Sequence, residues 1–199
     1  SKEPGGELRL LGEPVENGWL VAETDYEGLG TPGRHPYLVG ESEGRTTIDA
    51  VIAAGQLPGA DPSDRLAIAG YSQGGHGALW ANQLAAEYAP DLDVVGTFAG
   101  APATEMQIIL RGAPGGFKAL MVAGYAEAYP ELDPATFFTP GAVAALSSVD
   151  EGCTGDVFTA MAALPADQVT LPTAFDGPWV AVADANDPGR VATDDPVLI

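Results

Sequence analysis

One hexapeptide limits the folds open to this chain more than any other feature. Gly70-Tyr71-Ser72-Gln73-Gly74-Gly75 fits G-x-S-x-G. It lies directly after a short apolar run, Leu66-Ala-Ile-Ala, and directly before a helical pattern over residues 74–88 that Pro90 ends. A serine on a sharp strand-to-helix turn projects its hydroxyl above a sheet, and such a turn is strained and crowded. The glycines two before and two after leave room for neighbouring backbone. Gly74, Gly75, Gly77 and Ala78 let the helix lie close to adjacent strands. The other reading of the motif is a tight glycine-rich turn in a Rossmann-like sheet.

The pattern around the motif predicts an α/β architecture. Trp19-Leu-Val-Ala, Leu66-Ala-Ile-Ala and Val94-Val-Gly-Thr-Phe-Ala are strand candidates. Residues 43–57 are helical, with Ile48, Val51 and Ile52 at helix spacing. Strand–helix–strand–helix–strand implies a parallel sheet wound with helices. Alternation then disappears. Residues 104–194 read as a mostly helical insertion, with its best helix over residues 117–129 and breaks at Pro130, Pro134 and Pro140. Pro196-Val-Leu-Ile199 has the form of another buried strand beginning. The division expected is a core over 1–103, a helical insertion over 104–194 and the start of the next core strand over 195–199.

A second G-x-S-x-G, Gly40-Glu41-Ser42-Glu43-Gly44, is a decoy. Its serine stands between two carboxylates, which oppose an anionic intermediate, so a turn or helix N-cap is the expected role of Ser42.

Charge narrows the partners. Eight basic residues face 28 acidic ones, a net −20. That field repels nucleic acid and anionic membrane surfaces. It reads as a solvated acidic surface or as adaptation to high salt, and composition does not separate the two. No apolar run approaches the length of a transmembrane segment. No signal peptide is evident, and Ser-Lys-Glu-Pro-Gly-Gly at residues 1–6 reads as a cleaved or truncated start. Cys153, the one cysteine, reads as a free thiol. No Cys/His cluster for zinc and no Asp-rich calcium loop are present, so neither a metal nor a cofactor is expected.

Three segments in order carry a family likeness: Asp25-Tyr-Glu-Gly-Leu-Gly-Thr-Pro-Gly-Arg-His-Pro-Tyr, Gly70-Tyr-Ser-Gln-Gly-Gly-His-Gly-Ala-Leu-Trp-Ala, and Glu87-Tyr-Ala-Pro-Asp-Leu. Together they resemble the secretory lipases of bacteria and fungi, from about residue 18 to 103 and more loosely to 199. The resemblance implies an α/β-hydrolase-type parallel sheet with a helical cap insertion over 104–194. It implies action on small acyl esters or triglycerides outside the cell. It places the nucleophile on Ser72 and an oxyanion-binding backbone amide on Gln73.

The rest of such a site has no counterpart here. α/β-hydrolases order their triad Ser, acid, His. After Ser72 the only histidine is His76, one turn along the same helix, and it reads as a packed helix residue. His35 precedes Ser72 and reads as a loop residue at a pocket rim. Asp184, Asp187, Asp194 and Asp195 lie before the strand that the family's acid follows, so none takes that role. The second oxyanion donor is expected upstream of Trp19. The expectation is therefore an internal part of a longer hydrolase, with the sheet incomplete at both ends and the triad histidine and acid outside the chain. A serine peptidase or acyltransferase on the same fold, and a non-catalytic acyl-binding protein, are the competing functions.

Overall fold

The computed structural model describes residues 12–199, so the reading of residues 1–6 lies outside the described part. A short helix α1 (Gly12–Glu16) and an irregular stretch lead to α2 (Gly40–Gly55), β1 (Arg65–Tyr71), α3 (Gln73–Tyr88) and β2 (Asp93–Gly100). Helices α4 (Met106–Gly112), α5 (Gly115–Ala128), α6 (Pro140–Ala145), α7 (Ser147–Glu151), α8 (Thr154–Ala162) and α9 (Trp179–Ala185) follow, and β3 (Val197–Leu198) comes last.

The strands form one sheet among the described residues, in the order β1-β2-β3 and parallel throughout. This is the predicted α/β arrangement, with β3 returning to the sheet after the helical stretch. In β1 the side chains alternate, Leu66 and Ile68 buried and Arg65, Ala67 and Ala69 exposed. Period-2 alternation of this kind means that one face of the sheet is covered. α3 covers it with small residues, Gly75, Ala78 and Ala85, which lets helix and sheet approach closely, while Gly77 and Ala81 lie on its α2 side. Ile48 of α2 completes this core with Leu66, Ile68, Ala89 and Val94. The opposite face is bare: Tyr71 is 73% exposed, and Phe98 and its register partner Leu198 are exposed too.

The helical stretch builds a second core from large side chains. Trp179, Tyr125, Phe137, Phe138, Met106, Leu110 and Met121 are fully buried in it. Its rings meet edge-on, Phe137 to Phe138 at 5.0 Å and Phe137 to Trp179 at 5.5 Å between centroids. This geometry sets positive ring edges against negative faces.

The structure corrects two expectations here. Residues 19–22 form no strand; among the described residues no neighbouring chain offers them a ladder of hydrogen bonds. An apolar run makes a strand only where its backbone finds a partner. Trp19 instead borders a shallow trough along the bare face, beside Ala67, Ala69 and Val95. Ser42 is not an N-cap, since Val39 holds that position. It lies in the first turn of α2, its hydroxyl donating to Glu27 Oε2 at 2.7 Å.

Candidate active site

Ser72 sits where β1 ends and α3 begins. It is the N-cap residue of α3, with φ 55° and ψ −115°. A non-glycine residue in this region of backbone space costs on the order of 1–3 kcal/mol and persists only when its surroundings over-determine it. Three backbone hydrogen bonds do so. The Ser72 amide donates to Gly100 O at 2.9 Å, and its carbonyl accepts from His76 N at 3.1 Å and Ala103 N at 3.3 Å. The turn is thus held on one side by its own helix and on the other by the end of β2.

Two glycines make this closeness possible. A Cβ on Gly70 would overlap the Gly74 carbonyl, and one on Gly75 would lie 2.9 Å from Pro102 Cα. Gly74, the second glycine of G-x-S-x-G, faces open space. The steric demand therefore falls on Gly70 and Gly75. Ser72 itself is exposed. It stands at the N-terminus of a 16-residue helix, where the dipole favours developing negative charge.

Both histidines lie near Ser72 along the chain or in space, and both have their ring nitrogens engaged. His76 is fully buried, with Nδ1 2.6 Å from Glu43 Oε2 and Nε2 2.9 Å from the Asn186 carbonyl. His35, a half-buried loop residue, has Nδ1 2.9 Å from the Glu27 carbonyl and Nε2 2.7 Å from Gln73 Nε2. Neither ring is free to take a proton from Ser72.

Glu43 is the member of this cluster that the sequence reading passed over. It is fully buried, on the same stripe of α2 as Gly40, Gly44 and Ile48. A carboxylate on an otherwise apolar stripe was the available signal, since Glu is almost never fully buried unpaired. Its Oε1 accepts from Leu38 N at 3.0 Å and from Gln73 Nε2 at 2.8 Å. Its field reaches further: burial first and then the Glu43 charge push the Tyr37 hydroxyl up to about 12 and raise that of Tyr26 further.

Asn186, at the C-cap of α9, joins the helical stretch to this cluster. Its carbonyl accepts from His76 and from Trp80 Nε1 at 3.1 Å. Its Oδ1 accepts from Gly40 N at 2.9 Å, and its Nδ2 donates to Tyr129 Oη at 3.0 Å. Asp187 Oδ1 accepts from Glu105 N at 2.9 Å, and Asp184 accepts from Gln107 Nε2 at 2.7 Å. Both carboxylates thus tie the root of α4 to the end of α9. Asp194 and Asp195 lie between α9 and β3.

Of the apolar residues in the helical stretch, Met121, Phe137 and Phe138 are buried in its own core, Phe138 also bordering a hollow between Pro140 and Leu171. Phe117 is 40% exposed and packs edge-on against Phe158 at 4.7 Å. Cys153 is exposed at the start of α8. The described residues bring together no group of three or more His, Cys, Asp or Glu able to hold a metal ion. No described helix is long and apolar enough to cross a membrane.

A family model described as "Secretory lipase" matches residues 5–170. Among relatives, the chain is 33% identical over 132 residues to a protein of Mycobacterium tuberculosis (strain CDC 1551 / Oshkosh) named probable inactive lipase MT1628. That match covers 63% of this chain and 29% of the relative. It is 30% identical to the secreted triacylglycerol lipase LIP5 of Malassezia globosa, over 72% of this chain and 31% of that protein. The chain thus spans about a third of the length of such relatives. Among solved structures it is similar to the rice cell wall degrading esterase LipA of Xanthomonas oryzae, with a TM-score of 0.72 at 21% identity. That superposition covers 87% of this chain and 53% of the esterase, and it bears on the fold alone.

Proposed function

The chain belongs to the secretory lipase family, and we propose that it is the nucleophile-bearing part of a carboxylic ester hydrolase working through a serine acyl-enzyme. The observation that carries this reading is the strained, exposed backbone of Ser72 at the end of a parallel strand and the start of a long helix. Ser72 Oγ attacks the ester carbonyl carbon and gives its proton to a histidine other than His35 and His76. The tetrahedral oxyanion is held by the Gln73 backbone N–H, helped by the dipole of α3. The C–O bond then breaks, the alcohol leaves with the proton, and water attacks the acyl-enzyme to release the acid.

Substrates of the class implied are acyl esters or triglycerides, met outside the cell. The helical stretch over 104–194 acts as a cap. It is rooted beside the nucleophile through Ala103, which hydrogen-bonds Ser72, and it returns through Asn186, which hydrogen-bonds His76. Phe117 is its exposed aromatic side chain available to an acyl chain.

A second reading, a non-catalytic acyl-binding protein, draws on the name of the M. tuberculosis relative and on the engagement of both histidines. The two readings separate on one experiment. In the full-length natural protein, Ser72→Ala removes p-nitrophenyl ester hydrolysis, a loss on the order of a million-fold in turnover. Ser42→Ala leaves most of it. Unchanged activity in Ser72→Ala, or fluorophosphonate labelling at Ser42, refutes the assignment. A wild type that neither hydrolyses esters nor labels, yet binds them, favours the second reading.

A further inference from the structure

Residues 73–77, the first turn after Ser72, are Gln, Gly, Gly, His and Gly. Only two side chains on this turn can anchor it, and both end on the same buried carboxylate. Glu43 Oε1 takes Gln73 Nε2 at 2.8 Å, and Oε2 meets His76 Nδ1 at 2.6 Å. We infer that Glu43, itself held by His76, is a positioning residue for the Ser72 turn, and that it sets the Gln73 amide through the Gln73 side chain. This inference rests on Ser72 being the nucleophile.

The hydrogens along the cluster have a consistent arrangement. The Asn186 carbonyl only accepts, so His76 Nε2 carries a proton and donates it. One further proton lies between His76 Nδ1 and Glu43 Oε2. Gln73 Nε2 has two hydrogens. One goes to Glu43 Oε1 and the other to His35 Nε2, which must accept it. His35 therefore keeps its proton on Nδ1 and donates it to the Glu27 carbonyl. Turning the Gln73 amide over would set its oxygen against the carboxylate, so the side chain has one orientation. It is pinned to α2 by Glu43 and to the loop before α2 by His35.

The consequence reaches Ser72 through the backbone. Gln73 is its immediate neighbour, and the His76 amide donates to the Ser72 carbonyl. A backbone held in a sparsely populated conformation relaxes when its restraints are removed. Glycines at 74, 75 and 77 supply none by side chain. An apolar residue at 43 would fill the same space without fixing Gln73, and buried polar pairs are often no more stabilising than apolar replacements. What Glu43 adds is direction.

The test uses the full-length protein, with ester kinetics, fluorophosphonate labelling rate and thermal stability read together. Gln73→Ala cuts the tie from Gln73 to the carboxylate and leaves the other, from His76, in place. The expected result is kcat and labelling rate lower by about 10- to 100-fold, KM within about twofold and the melting temperature nearly unchanged. Glu43→Gln keeps every hydrogen bond, its oxygen accepting from Leu38 and Gln73 and its amide donating to His76 Nδ1. It retains activity within several-fold, whereas Glu43→Leu falls with Gln73→Ala. Full kcat and labelling in Gln73→Ala, or in a folded Glu43→Leu, overturns the inference. Ser72→Ala serves as the control: if it stays active, the nucleophile assignment fails, and if it is dead while Gln73→Ala is fully active, only the positioning role fails.

Discussion

The two cores of this molecule are built on opposite terms. The sheet core relies on small side chains, with Ala78, Ala81, Ala85 and Ala89 facing Leu66, Ile68 and Val94. Buried among or beside them are Glu43, His76, Asn82 and Thr97, with Asn82 Nδ2 donating to Thr97 Oγ1 at 3.1 Å. The helical core relies on rings and thioethers, and the buried hydroxyl of Tyr125 finds no hydrogen-bond partner among the described residues. Asn186, the fifth buried polar residue among those described, stands at the joint between them. Packing of large apolar groups is strong but weakly directional. Close approach of small groups with buried hydrogen bonds fixes position. Direction is concentrated beside Ser72 and bulk is placed away from it.

Three substitutions test that contrast, in descending size. Trp179→Ala should cost about 3–5 kcal/mol of stability, because it removes the largest buried side chain of the helical core, packed against Phe137. Chemical denaturation measures it, and a cost below about 1 kcal/mol would mean that the helical core is not held by its rings. Ala81→Leu should cost about 1–3 kcal/mol through overpacking of the α2–α3 contact. A neutral result would remove the claim that closeness matters on this side.

The smallest effect concerns a tie between the loop before α2 and the helical stretch. Arg34 grips Asp150 with two hydrogen bonds of 2.7 Å. Its guanidinium holds the Asp150 carboxyl below the ordinary range. A depressed carboxylate contributes stability that is present above its unfolded value, about pH 4, and lost as pH falls through the lower folded value. The pair is largely solvent-exposed, so its worth is at most about 1 kcal/mol. Arg34→Ala should lower stability by that amount at pH 7 and by progressively less as pH falls below about 4. An equal loss across that range would assign the effect to packing.

Much of this arrangement was legible in the chain because it is local. Ser72 lies six residues after Leu66 and Gln73 opens the helix that follows, so one window of sequence contains strand, turn and helix. β2 and β3 also announced themselves as short apolar runs. What escaped was set by distant partners. Glu43 meets residues 30 and 33 positions further on, and Asn186 meets His76 across 110. Spacing within a window carries no record of such contacts. Residues 19–22 failed for the converse reason, since a strand's propensity is local but its hydrogen bonds are not. The large apolar residues of the helical stretch were visible as apolar. Whether Phe137 and Phe138 face inward or toward a site is decided by how the helices stack.

The backbone of Ser72 also bears on what a serine costs the fold at this position. At φ 55° and ψ −115° a glycine would sit with less strain than any residue bearing a Cβ. A lineage judged on stability alone would drift to glycine there, and gain by it. Serine is the costlier occupant, so on the proposed reading of Ser72 as nucleophile its hydroxyl is carried at the expense of the robustness of the fold.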